Sequence, residues 1–244
     1  MKRKNLIEFK VYGRYALFTD PLTRIGGEKF TYQVPTYQAL KGITESVYWK
    51  PTLQWFIDDV RIINRIQTQS QGIRPIKYTG GNDLSIYTYL KDVEYQVRAH
   101  FEWNENRKDL ERDRNENKHY IVAKRMLSRG GRRDIFLGTR ECQGYVEPCK
   151  FGEGEGYYDD TDMDFSLMFH GMTYPDEAYN DETKDKMTAR FWMPKMVNGY
   201  IQFIRPEECS IHRRLREMNM KTFDDSNFTV IGEFEEGGVF DGVD

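Results

Sequence analysis

The chain has 244 residues, of which 39% are hydrophobic, 14% aromatic and 31% charged, with a formal net charge of -3. That length can bury a sizeable core without disulfides or metals, and the composition excludes a disordered body. No apolar run approaches the ~20 residues of a membrane span, and the N-terminal MKRKNLIEFKVYG lacks the apolar core and cleavage site of a secretory signal, so a cytoplasmic protein without a membrane partner is expected.

Leu6 to Tyr12 alternates as a half-buried strand, with Ile7, Phe9 and Val11 on one side. After Pro21 and Gly26-Gly27, Pro35 suits the first turn of a helix in which Tyr37, Leu40, Thr44, Val47 and Tyr48 recur at helical spacing, with Pro51 stopping it. TLQWFIDDVRII (52–63) reads as a strand, followed by a loop through Gly72, Pro75 and Gly80-Gly81. DVEYQVRAHFEW (92–103) alternates again, as Val93, Tyr95, Val97, Ala99 and Phe101. The polar run NENRKDLERDRNEN leads to a helix from about Glu116 to Ser128, striped by Val122, Ala123, Met126 and Leu127 and ended by Gly130-Gly131. RDIFLGTREC (133–142) supplies a fourth strand. The order βαββαβ predicts an α+β chain whose N-terminal domain, residues 1–149, is a ferredoxin-like (RRM-like) sheet with two helices on one face. The texture then turns glycine-rich and acidic, and a smaller antiparallel β-rich C-terminal domain is expected over 150–222. Residues 223–244 read as a mobile acidic tail.

Several motifs fail on inspection. The G-x-G-x-G of Gly152, Gly154 and Gly156 has acidic flanks and no strand-to-helix context, so it does not fit a phosphate loop. Asp160, Asp162 and Asp164 begin like a calcium loop, but Phe165 replaces the turn glycine and Gly171 the closing glutamate. The odd set Cys142, Cys149 and Cys209 has no Cys-x-x-Cys spacing, and the four histidines have no metal-ligand spacing. Neither a metal nor a cofactor is expected.

Charge distribution says more than the sum. Between Asn117 and Arg140 stand Lys118, Lys124, Arg125, Arg129, Arg132, Arg133 and Arg140 against one acid, Asp134. Guanidinium groups around Gly130 and Gly131, with exposed backbone N–H donors there, would suit a phosphate backbone. Lys118 and His119 open the second helix, with Asp113, Asn115 and Asn117 as candidate caps. An imidazole can move a proton near neutral pH, and an adjacent ammonium can stabilise charge developing on a phosphate. The pair suits metal-free RNA cleavage by 2′-hydroxyl attack, leaving a 2′,3′-cyclic phosphate and a 5′-hydroxyl. Core-edge packing of His119 against Val122 and Ala123 would explain the same spacing.

FTDPLTRIGGEKFTYQVPTYQALKGITESVYWKP, YTYLKDVEYQVRAHFEW, DRNENKHY and GGRRDIFLGTRECQGYVEPC occur in that order. Together they resemble the type I-C CRISPR-associated repeat-processing endoribonuclease, the d subtype of the fifth Cas family in the repeat-associated mysterious protein superfamily. The resemblance implies a metal-independent RNase that cuts precursor RNA at each repeat hairpin and stays as a subunit of the type I-C Cascade interference complex. It implies Tyr48, Lys118 and His119 as the catalytic group, with Lys118 on transition-state charge and His119 or Tyr48 as base; by spacing alone Tyr48 is a core tyrosine. The implied partners are the repeat hairpin with its flanking single strand and the other Cascade subunits, with duplex DNA left open. A noncatalytic RNA-binding subunit of the same complex is the alternative.

Overall fold

The computed structural model describes residues 5–20 and 27–220, so the expected acidic tail lies outside the described residues. The elements are β1 (Leu6–Ala16), α1 (Tyr37–Val47), β2 (Leu53–Ile62), β3 (Thr68–Ile73), β4 (Ser85–Trp103), α2 (Glu116–Leu127), β5 (Ile135–Phe136) and β6 (Gln143–Pro148). Then come β7 (Met163–Asp164), β8 (Met168–Thr173), β9 (Lys186–Trp192), β10 (Lys195–Val197), β11 (Tyr200–Gln202) and β12 (Ile211–Glu217). The chain is α+β and its described strand pairs are overwhelmingly antiparallel. No described helix is long and apolar enough to cross a membrane.

The main sheet has nine strands in the order β5-β6-β1-β4-β2-β11-β10-β7, with β3 also pairing β4. β4 is the spine, because its 19 residues pair with β1, β2 and β3 in turn. Period-two alternation sends Phe9, Val11, Val97, Ala99 and Phe101 to one face, where they are buried. α1 packs on β2, and α2 on β1 and β6. β12, β9 and β8 form a separate three-stranded sheet, yet the apolar core runs unbroken from Phe9 and Trp55 to Met196, Ile201 and Phe203.

The structure departs from the sequence expectation in three places. β3 and the first third of β4 stand where the glycine and proline pattern predicts a loop. TQSQGI has no fully buried position, so it shows no apolar alternation and is held by its pairing with β4. The fourth strand is not 133–142 but β6, which pairs β1 through Val11↔Val146. The apolar IFL run there reflects burial of Ile135 and Leu137, and the chain turns at Gly138, with φ of +96° and no room for a Cβ beside the Leu17 carbonyl. Pro35 precedes the cap rather than entering the helix: Thr36 is the N-cap and accepts from the Ala39 N–H at 3.1 Å.

The glycine-rich run is structural. Arg61, only 2% exposed, donates to the Gly154 carbonyl at 2.8 Å and pairs with Asp159 at 2.7 Å. Gly152 N–H donates to Gln96 Oε1 at 2.8 Å. These bonds pin the run onto the sheet face opposite the helices.

Candidate active site

Two helix ends meet above β2 and β4. α1 stops at Val47, and Tyr48 leaves it with extended backbone, φ -159° and ψ 127°. This conformation turns the Tyr48 side chain off the helical path expected from its spacing with Tyr37. The buried Trp55 of β2 holds it by donating Nε1–H to the Tyr48 carbonyl at 2.7 Å. α2 begins at Glu116, capped by Asn115, whose side chain accepts from the Lys118 N–H at 3.0 Å. His119, Ala123 and Leu127 form its buried face, spaced four apart so that they stack on one side.

Tyr48 Oη lies 2.8 Å from His119 Nδ1. The Nε2 atom of His119 lies 2.8 Å from the carbonyl oxygen of Asp113. A carbonyl only accepts, so Nε2 carries the proton of the neutral ring, and Nδ1 accepts from the Tyr48 hydroxyl. Trp103 and Phe101 enclose the imidazole edge-on at 5.7 and 6.3 Å between ring centroids. His119 is fully enclosed and Tyr48 is 3% exposed, whereas the Lys118 side chain is 52% exposed.

Asp113 joins the group, although the sequence offers it only as a candidate cap. It ends the 3₁₀ turn Lys108–Asp113. Its carboxylate pairs with the Lys118 ammonium, accepts from Thr52 Oγ1 at 2.9 Å and lies 3.4 Å from His119 Nε2. The hydrogen bond from Lys118 holds its carboxyl below the usual range, with Thr52 and His119 adding to that. Burial raises the Tyr48 phenol, the Asp113 charge raises it further and Arg132 opposes them. A free tyrosinate is therefore disfavoured, while a neutral hydroxyl that relays a proton to His119 is available.

The side chains of the basic stripe are exposed. Lys124, Arg125, Arg129, Arg132, Arg133 and Arg140 all face solvent, and the Lys124 ammonium sits over the Tyr120 ring, 5.5 Å from its centroid. The backbone donors expected at Gly130 and Gly131 are not free. Gly130 N–H bonds the Leu127 carbonyl at 3.0 Å and Gly131 N–H the Met126 carbonyl at 2.9 Å, closing α2. Arg132 and Arg133 N–H bond the Ser46 carbonyl at 3.1 and 3.0 Å. Those bonds tie the stripe to the end of α1, beside Tyr48. A large cavity, about 890 Å³ among Arg98, Phe151, Trp192 and Tyr200, lies away from this cluster.

A profile of the family described as CRISPR-associated protein (Cas_Cas5), in its Cas5d form, matches residues 6–204. The chain belongs to the Cas5d family. A relative from Thermus thermophilus, named CRISPR pre-crRNA endoribonuclease Cas5d, is 25% identical over 86% of this chain and 88% of its own length. The relative of the same name from Mannheimia succiniciproducens is 29% identical over 39% of this chain and 52% of its own length. A crystal structure of a CRISPR-associated protein superposes with a TM-score of 0.72 at 38% identity, covering 85% of this chain and 96% of that one. A functionally uncharacterized Streptococcus mutans protein gives 0.71 at 39% identity, with the same coverage.

Proposed function

We propose that this chain is a metal-independent endoribonuclease that cuts CRISPR precursor RNA within the repeat and then remains a subunit of the type I-C interference complex. The observation that carries it is the hydrogen bond between Tyr48 Oη and His119 Nδ1, 2.8 Å long, beside an exposed lysine at a helix N-terminus. Family membership and the relatives' names support the RNA substrate. The β6-β1-β4-β2 strand order with both helices on one face supports a ferredoxin-like, RRM-like arrangement. Residues 1–149 would then carry recognition and chemistry, and residues 150–222 a smaller β-rich part.

In this mechanism the 2′-hydroxyl gives its proton to Tyr48 Oη as Tyr48 passes its own to His119 Nδ1. The 2′-oxygen bonds to phosphorus, the bond to the 5′-oxygen breaks, and that oxygen takes a proton from water. Lys118 neutralises the charge developing on the phosphate, and Asp113 steadies the imidazolium. The mechanism requires that RNA binding uncover Tyr48, which is 3% exposed. The exposed arginines beside α2 hold the backbone.

The enclosure of His119 favours one competing reading, a noncatalytic RNA-binding subunit. Purified protein incubated with repeat RNA, with and without EDTA, followed by end-group analysis, separates the two. The proposal expects 2′,3′-cyclic phosphate and 5′-hydroxyl ends in both arms and an intact strand when the scissile nucleotide is 2′-deoxy. RNA that is bound but never cut would assign the chain to the alternative.

A further inference from the structure

Among the described strands, β12 alone has every residue exposed. It forms one rim of the three-stranded sheet and pairs only with β9. Its sequence IHRRLRE holds His212, Arg213, Arg214 and Arg216 against one acid, Glu217. Arg214 pairs with Glu217. Among the described residues Arg216 reaches only the Met218 sulfur, at 3.9 Å, and Arg213 makes no ion pair.

A register shift between Arg214 and Arg216 re-aims the strand, since Arg213 stands opposite Ala189 and Arg216 opposite Met187. Ala189 and Met187 are two apart on β9 and share a face, so the bulge brings the two arginines that lack a carboxylate to the same side. Charged residues on a free edge also discourage strand addition. That protective role needs no shared face and no particular destination, and β12 has both. Its continuation, Met218 to Met220, lines a cavity of about 500 Å³ with Trp49, Pro51 and Arg107, next in sequence to Tyr48 and Thr52 of the candidate site. Seven extended residues span ~20 Å leading away from that point. The family profile ends at residue 204, so this strand lies outside the part of the chain that it matches.

We infer that β12 is a track for the phosphate backbone of the single strand flanking the RNA hairpin, gripped by Arg213 and Arg216 as it leaves the cut site. Guanidinium groups bind phosphate in a forked, charge-assisted geometry that suits such a track. The inference rests on the proposed RNA substrate, but its test does not require cleavage.

The full chain is titrated by fluorescence anisotropy at about 50 to 200 mM salt with a repeat RNA made uncleavable by 2′-deoxy substitution, either flanked or trimmed to the bare hairpin. Arg213→Ala/Arg216→Ala should weaken binding of the flanked RNA about tenfold at low salt and flatten its log–log salt slope by about 1.4, two single-strand phosphate contacts. Affinity for the bare hairpin should change less than twofold. An unchanged slope on flanked RNA, or an equal loss on the bare hairpin, overturns the inference. So does a variant that binds RNA normally but loses a protein partner, or one whose RNA binding is normal while deletion of residues 221–244 alters its stability. Failure of the unsubstituted protein to cut ordinary repeat RNA sinks the nuclease proposal and leaves this result standing.

Discussion

His119 and His170 are both fully enclosed, and both hold the same tautomer. His170 Nε2 lies 3.0 Å from the Ile204 carbonyl, as His119 Nε2 faces that of Asp113, so each imidazole keeps its proton on Nε2. The difference is at Nδ1. His119 receives the Tyr48 hydroxyl there at 2.8 Å, with the Asp113 carboxylate behind the ring. His170 receives the Arg190 guanidinium at 3.5 Å and is stacked on Tyr37 at 4.3 Å between ring centroids. A phenol can hand over its proton and take another, but a guanidinium cannot under any folded condition. Burial pushes the His170 imidazole down to about 3, and the Arg190 charge pushes the same way. Burial alone thus does not make a base; under the proposed mechanism the donor at Nδ1 and a nearby anion do.

The strongest way to break this comparison is to remove each ring. His119→Ala should slow cleavage of repeat RNA by about 10²- to 10⁴-fold, the usual range for a lost acid–base group, with hairpin affinity kept within twofold. His170→Gln should leave the single-turnover rate of folded protein within about threefold and lower its unfolding midpoint instead, as expected for a buried hydrogen-bonded strut. If the folded His170 variant lost cleavage as severely, the contrast at Nδ1 would have no functional meaning.

A smaller and more diagnostic effect is expected at Asp113. Asp113→Asn keeps the backbone carbonyl that fixes the His119 tautomer but removes the anion shared by Lys118, Thr52 and the imidazole. RNA binding should tighten a few-fold because Lys118 is released. Cleavage at saturating RNA should fall about tenfold, corresponding to ~1.4 kcal/mol of lost imidazolium stabilisation. Opposite movements of affinity and rate separate this role from loss of structure, which would weaken both.

The sequence carried the parts of this contrast unequally. Periodicity located β1, β2, α1, α2 and the part of β4 that pairs with β1 and β2, because those elements bury one face continuously. It missed β3, whose stabilisation is a backbone ladder rather than a buried stripe. Lys118 and His119 were legible from their place at a capped helix start. Tyr48 was not, since helical spacing from Tyr37 gives it the same signature as a core residue, and its extended backbone appears only once Trp55 ties down its carbonyl. Asp113 depends on the Lys108–Asp113 turn, which brings its carbonyl and carboxylate to the start of α2, and on Thr52 from a distant segment, neither of which apolar periodicity encodes. The basic character of β12 was hidden by acidic sequence on both sides, and the glycine pair looked like a phosphate nest because its N–H partners are set by the helix end.

The smallest effect concerns pH and stability. An unfolded histidine titrates near about 6.5, whereas folded His170 titrates at about 3. Between those values the unfolded chain binds a proton that the folded chain refuses. The contribution of neutral His170 is therefore complete above about pH 6.5 and declines as pH falls, at a limiting slope of ~1.4 kcal/mol per pH unit. Glu45 works against it: burial raises its carboxyl from 4.5 to about 7, with Lys41 opposing. Because this folded carboxyl holds its proton longer than the unfolded one, its contribution is complete below about pH 4.5 and is lost as pH rises toward about 7. The two slopes have opposite sign over the shared window, so the unsubstituted protein should show little net change between about pH 6.5 and 5. His170→Gln removes one arm of that balance. Urea unfolding of this variant should give stability that rises by ~2 kcal/mol on acidification across the same interval, whereas a curve parallel to that of the unsubstituted protein would mean that His170 does not stay neutral in the folded state.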